Sequence, residues 1–198
     1  SFAKDTPNFI IIYMDDLGWH QTSVRMMDSE PMSKHSFYKT PNVERLAEMG
    51  MCFSNGYAPT ATCTGSRVSI QFGQTSARTQ YRYVFDVYHK KQRPNGYAGQ
   101  YSLADSVKTA GKNYITAHFG KGMTEKLKMV NYDVTDEYEK YAPNGNLHGE
   151  KIDIPTRREL PPDNPKRIYS LIDESMKFLR ENAGTVSYTH LTLPTRLM

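Results

Sequence analysis

The residues best suited to chemistry begin at Cys63. It opens the run Cys63-Thr64-Gly65-Ser66-Arg67, inside the stretch from Ala58 to Gly73. A loop of small residues, Thr60, Ala61 and Thr62, leads up to it. A helix is predicted after it, with Val68, Ile70 and Phe72 supplying an apolar side. Cys63 then sits at a helix N-terminus, where backbone N–H groups and the positive dipole end favour anions. Such a location generally lowers a thiol pKa. Arg67 follows one turn later on the same face, so its guanidinium reaches the helix mouth. The plainer alternative is a lone cysteine used as core filler.

Two further groups complete the set. Asp15 and Asp16 follow the β-branched apolar run Asn8 to Met14. That run reads as a strand buried on both faces in the middle of a parallel sheet. Adjacent carboxylates at the end of a buried strand are costly unless paired or bound to a cation. Their hard oxygens suit Ca²⁺ or Mg²⁺. In open α/β sheets ligands gather at that edge. A solvated turn before Gly18 is the plain alternative. Lys121 stands just past a second predicted strand, Tyr114 to Phe119, which stops at Gly120. The first and second strands are expected to be neighbours whose ends meet the start of the Cys63 helix.

The intervening chain must position these groups. Residues 20–39 read as an irregular loop whose His20 and His35 are surface or packing residues. Thr40 caps and Pro41 begins a helix ended by Gly50, with Val43, Leu46 and Ala47 as its apolar stripe. Met51 to Tyr57 alternates as a short strand does. Thr75 to Gly99 is polar, aromatic and poorly periodic, a long excursion that either lines a substrate mouth or is simply solvated. Ser102 caps a helix carrying Leu103, Val107 and Ala110, ended by Gly111. Glu125 to Pro162, with His148, carries no motif. Asn164-Pro165 opens a helix with Ile168, Leu171, Ile172 and Leu179 on one side, capped by Asp163 or Asn164. From Val186 the text resembles a translated sequencing-adapter read-through, so 186–198 is expected to be a non-native tail. Read as ordinary sequence, its SYTHLTL has strand propensity.

Composition narrows the classes. The chain has 198 residues, enough for one domain with a core. Its mean hydropathy is −0.66, and no run is long enough to span a membrane. The net charge of +4, from 25 Lys plus Arg against 21 Asp plus Glu, argues against nucleic acid as a partner. Cys52 and Cys63 make no disulfide scaffold, although they could pair, and no zinc-ligand spacing occurs. The chain starts at Ser1 without Met, as a processed or trimmed product does, and no signal peptide is visible.

Three of these motifs, in this order, resemble the type I, formylglycine-dependent sulfatases. The opening Pro7-Asn8, apolar run, Asp15-Asp16-x-Gly18-Trp19 is how that family begins. Thr40-Pro41-Asn42, Leu46-Ala47, Gly50-Met51, Phe53, Asn55 and Tyr57 match its next segment. Cys63, Ser66 and Arg67 match its Cys-x-Pro-Ser-Arg signature, with Gly65 where the family usually has Pro. Beyond these three, Lys121 matches the lysine of the family's Gly-Lys-Trp-His motif, but Gly122-Met123 stand where Trp-His is expected. The resemblance implies an alkaline-phosphatase-like α/β/α sandwich, of which this chain supplies the N-terminal part: 1–185 as a partial catalytic domain. It also implies export to the periplasm or outside the cell.

The resemblance implies a chemistry as well. Cys63 is oxidised to formylglycine by a maturation enzyme, and its hydrate attacks the sulfur of a sulfated small molecule or saccharide. Alcohol departs, and the second hydroxyl then helps expel sulfate. Asp15, Asp16 and modified Cys63 bind Ca²⁺, Arg67 anchors the hydrate, and Lys121 neutralises sulfate charge. The family's Asp-Asn metal pair, a further histidine and a second lysine are not found in this sequence, so the chain as given is expected to be inactive. Two other readings share these residues: a formylglycine phosphoesterase or phosphonate hydrolase, and a non-catalytic sulfatase-like binding relative.

Overall fold

The computed structural model describes residues 7–81, 100–110, 113–122, 131–135, 168–184 and 187–194. In chain order it contains β1 (Phe9–Asp15), a 3-10 turn (Pro31–Ser33), α1 (Pro41–Met49), α2 (Cys63–Phe72) and α3 (Ser76–Thr79). Then come α4 (Leu103–Thr109), β2 (Ile115–Gly120), β3 (Val134–Thr135), α5 (Ile168–Glu181) and β4 (Ser187–Pro194). These fall into two compact units. One comprises Ser1–Asp15 with Pro59–Pro194, the other Asp16–Ala58 with Thr195–Met198. Among the described residues no helix is long and apolar enough to cross a membrane.

The first unit is mixed α/β, built on a four-stranded sheet in the order β1-β4-β2-β3. All neighbours are parallel. β4 lies between the two strands that carry the candidate site residues. It pairs with β1 from Phe9 opposite Tyr188 to Asp15 opposite Pro194. It pairs with β2 from Ile115 opposite Ser187 to Gly120 opposite Thr192. The expectation that the first two strands are neighbours is therefore corrected: a strand from the end of the sequence separates them. That strand is the segment whose sequence was expected to be a tail.

One face of the sheet is covered by α5. Ala117 and Phe119 of β2 pack with Leu171 and Phe178, and Ile115, Leu179 and Leu191 join them. The rings of Phe119 and Phe178 lie 5.8 Å apart. Burying each such side chain is worth about 1.5–3 kcal/mol. Because side chains alternate along a strand, the other face of β2 carries Thr116 and His118, both buried. There the Tyr132 hydroxyl donates to Gln71 Oε1 of α2 at 3.0 Å, tying that helix to the segment leading into β3. The remainder of the predicted α5 start, with Asp163 and Asn164, lies outside the described residues.

β1 differs from its expected burial. Phe9, Ile10 and Ile12 are 45%, 53% and 50% exposed. An apolar run is buried on both faces only when layers cover it. β1 is an edge strand among the described residues, and the α5 core covers β2 and β4 instead. α4 forms as its cap predicts: Ser102 Oγ accepts from Asp105 N, and Asp105 Oδ2 accepts from Ser102 N, a reciprocal capping box. The expected excursion at 75–99 opens with α3, capped by Thr75; residues 82–99 lie outside the described ones, as does His148.

In the second unit α1 has the expected bounds, with Thr40 at its N-cap position. The Thr40 side chain does not cap, however. Its Oγ1 accepts from Ser23 N at 2.9 Å, and Ser23 Oγ accepts from Thr40 N at 2.9 Å. A loop partner has outcompeted the helix for this hydroxyl. Val43 and Ala47 are half-buried, whereas Leu46 is exposed. Met51 to Tyr57 forms no strand, and Met51, Phe53 and Tyr57 are exposed. Alternation alone does not make a strand when no partner edge receives it.

Candidate active site

Three elements of the first unit deliver three charges to one place. β1 ends in Asp15, which is 8% exposed. β2 ends in Gly120, whose φ of 92° few residues besides glycine adopt, and Lys121 follows. α2 contributes Arg67 from its second turn, 3% exposed. Arg67 Nη2 donates to Asp15 Oδ1 at 2.8 Å, and Lys121 Nζ donates to Asp15 Oδ2 at 2.7 Å. Arg67 Nη1 also donates to the Lys121 carbonyl oxygen at 2.6 Å. One guanidinium thereby joins the tips of two strands that β4 keeps apart.

The electrostatics follow from this geometry. Burial by itself would raise the Asp15 pKa, but the hydrogen bonds from Lys121 and Arg67, with their charges, hold it below the usual value. Charges this deep are tolerable only because each meets an opposite partner. Arg67 gains a further contact: its guanidinium carbon lies 5.1 Å from the centre of the Tyr13 ring, a cation–π arrangement. Tyr13 was not singled out from the sequence. Its position two residues before Asp15, on the same strand face, is the signal that would have found it.

Cys63 is the first residue of α2, half-buried and not disulfide-bonded; Cys52 is likewise free and exposed. The loop before Cys63 is held by its own threonines. Thr62 N donates to Thr60 Oγ1 at 3.0 Å, Ser66 Oγ donates to the Thr60 carbonyl at 2.8 Å, and Ser66 N donates to the Thr62 carbonyl at 3.1 Å. Gly65 is pressed against this loop. A Cβ added there would come within 2.6 Å of Thr60 Cγ2 and 2.7 Å of the Tyr81 carbonyl oxygen. The glycine thus fits a close approach that this chain's packing leaves no room to fill.

The other sequence candidates stand as follows. Asp16 is the next residue after β1, exposed, with a left-handed φ of 56° that aspartate tolerates; it belongs to the second unit. His118 is buried with its ring 5.4 Å from that of Tyr132, a packing residue of the sheet face. Gly122 is described, and Met123 lies outside the described residues. As donors, Asp15 and Asp16 have the right chemistry for a hard cation. Yet both Asp15 oxygens are already taken by cationic side chains. No group of three or more His, Cys, Asp or Glu able to hold a metal occurs among the described residues.

Comparison with known proteins bears on the same stretch. The chain is similar to a sulfatase of Formosa agariphila, 32% identical over 139 residues, which is 63% of this chain and 24% of that protein. It is similar to dog arylsulfatase G, 30% identical over 115 residues, 58% of this chain and 19% of that protein. It is also similar to dog N-acetylgalactosamine-6-sulfatase, 29% identical over 124 residues, 60% of this chain and 22% of that protein. The matched region thus spans a quarter or less of each of these relatives. The family model described as Sulfatase matches residues 7–187, nearly the whole chain; the chain belongs to the sulfatase family.

Proposed function

We propose that this chain is the N-terminal part of the catalytic domain of a sulfuric ester hydrolase with the alkaline-phosphatase-like fold, and that its nucleophile derives from Cys63. The observation that supports this is the meeting of Asp15, Arg67 and Lys121 at one end of the sheet, with Cys63 one turn before Arg67 on α2. A sulfate monoester needs its equatorial oxygens neutralised and a nucleophile held in line with the breaking S–O bond. Formylglycine at position 63 supplies a hydroxyl nucleophile that a thiol cannot replace. Arg67 orients that group from the next turn of the helix, with its planar fork fixed by the Lys121 carbonyl and the Tyr13 ring. Lys121 offers its ammonium to sulfate oxygens. Ser66 and Thr60 hold the loop that presents residue 63.

The family implies a divalent cation, usually calcium, and Asp15 and Asp16 are the residues that carry that resemblance. In this structure Asp15 is engaged by Arg67 and Lys121. The isolated 198-residue chain is expected to release no sulfate from an aryl sulfate ester. The substrate would be a sulfated small molecule or saccharide.

The test is mass spectrometry of the Cys63 peptide after expression in a host with a formylglycine-generating enzyme. Conversion lowers its mass by about 18 Da, the thiol-to-aldehyde change. An intact thiol there favours the second reading, a non-catalytic relative, which the tight packing at Gly65 in place of the usual Pro also favours. For a longer protein containing this chain, paired aryl sulfate and aryl phosphate esters separate a sulfatase from a formylglycine phosphoesterase.

A further inference from the structure

We propose that the cavity at the C-terminal end of α2 is a binding site for a neutral sugar ring, separate from the site at Cys63. Its volume is about 400 Å³, and its walls are Pro59, Ser69, Ile70, Gly73, Gln74 and Thr75. That size suits a small ligand such as one pyranose. α2 runs from Cys63 to Phe72, so by helix rise the cavity lies about 15 Å from residue 63 along the axis. All six lining residues belong to the first unit. Ser69 is the residue that points to a ligand. It is 4% exposed, yet its hydroxyl has no hydrogen-bond partner. A hydroxyl buried in this way costs stability and needs a reason. It turns about a single bond, so a ligand seated against Ser69 supplies the missing partner.

The chemistry of the lining selects the class of ligand. None of the six residues is charged, so nothing there repays the desolvation of an ion, sulfate included. Pro59 and the half-buried Ile70 give apolar surface for one face of a ring. The hydroxyls of Ser69 and Thr75 and the amide of Gln74 suit a rim of sugar hydroxyls. A pyranose has both an apolar face and such a rim. The walls are also held in place. Ser76 Oγ donates to the Pro59 carbonyl at 3.0 Å, Gln74 N to the Ser69 carbonyl at 3.1 Å, and Gln74 Nε2 to Gln100 Oε1 at 3.1 Å. Thr75 Oγ1 accepts from Arg78 N at 3.3 Å and keeps its own proton to donate. Little reorganisation then opposes binding.

The experiment is amide NMR of the whole 198-residue chain. It is titrated separately with methyl β-glucopyranoside and methyl β-galactopyranoside, neutral probes that Arg67 and Lys121 do not select by charge. Shifts confined to the amides around 69–75 are expected with at least one of them, saturating with a Kd on the order of 1 mM. Ser69→Ala should weaken binding about five- to tenfold, the loss of one hydrogen bond. Its thermal midpoint should be equal or higher, since it removes a buried unpaired hydroxyl and favours the helix. Gly73→Asn should abolish binding. Gly73 has a φ of 59°, which asparagine tolerates, and a Cβ there meets nothing within 4 Å, so the new side chain occupies open space at the cavity wall. No shift with either probe at about 50 mM, well above that Kd, overturns the proposal. So do shifts unchanged by Gly73→Asn, or a lowered midpoint in Ser69→Ala. Benzyl alcohol binding more tightly than both glycosides, and equally in Ser69→Ala, would also overturn it by making the cavity an apolar one. Should Gly73→Asn fail to fold, the affinity and midpoint of Ser69→Ala decide alone. None of these results bears on formylglycine at residue 63, which the Cys63 peptide tests separately.

Discussion

Arg67 is the residue on which the site's geometry turns, since its two terminal nitrogens bind a carboxylate from β1 and a carbonyl just past β2. Replacing it with Met fills similar volume but leaves Asp15 buried with Lys121 as its remaining cation. Breaking a buried pair in this way costs about 3–5 kcal/mol, to be read as a shift in the urea midpoint. Arg67→Lys keeps the charge but loses the fork and should fall between. The protonation of Asp15 gives a second prediction. Its pKa is lowered in the folded chain, burial being outweighed by the hydrogen bonds and charges of Lys121 and Arg67. A carboxyl depressed in this way stabilises the fold above its unfolded pKa of about 3.9. That contribution disappears as pH falls from there through the lower folded value. Asp105 and Asp133 are shifted in the same direction. The difference between the unmodified chain and Asp15→Asn isolates the Asp15 part: a gap in unfolding free energy that is constant at neutral pH and closes in acid. A gap that stays constant down to the acid transition would refute the assignment.

Elements were legible where a local rule decided them. The capping box of α4 was half visible, in Ser102. The apolar stripe of α5 and the stop of β2 at Gly120-Lys121 follow from short-range periodicity and turn chemistry, which the sequence displays directly. Cys63 at the start of α2 was legible for the same reason, as was the placement of Asp15 at a strand end. What depended on distant partners was not. Thr40 was taken by Ser23 instead of its own helix, and Met51 to Tyr57 found no edge to pair with. The hydrogen bonds that Asp15 makes to Arg67 and Lys121 cross 52 and 106 residues of sequence, a distance over which no local pattern speaks. Gly65 belongs to this long-range class too, since Tyr81 limits its space. Gly65→Ala keeps helical geometry and ordinarily favours a helix by up to about 1 kcal/mol. Here the new methyl must push on the Tyr81 backbone, so a net loss of about 1–3 kcal/mol is expected. Calorimetry settles the sign, and a stabilised variant would show that the loop yields.

At the scale of the molecule the sheet depends on its last strand in sequence. β4 is the sole described partner of β1 and links it to β2 and β3. It also brings Leu191 to the core around Phe119 and Phe178. Without it β1 has no hydrogen-bonded neighbour among the described strands, and its Ile10 and Ile12, already half-exposed, would lose cover. The consequence reaches the site, because Asp15 and Lys121 sit at the ends of strands that, among the described residues, β4 alone holds in register. A lone parallel pair of two residues, β2 with β3, does not make a stable sheet. Whatever the origin of residues 186–198, a chain ending at 185 is therefore expected to lose cooperative unfolding and to bind a hydrophobic dye, as collapsed states without fixed packing do. In lysine acylation read by mass spectrometry, its Lys121 should label as fast as the exposed Lys177, because Asp15 no longer faces it. The comparison is sharp in the other direction too. If the shortened chain unfolds cooperatively at the same midpoint, and Lys121 stays protected, then residues 1–185 hold the site without β4. The strand pairing of Ser187–Pro194 would then contribute nothing to the fold.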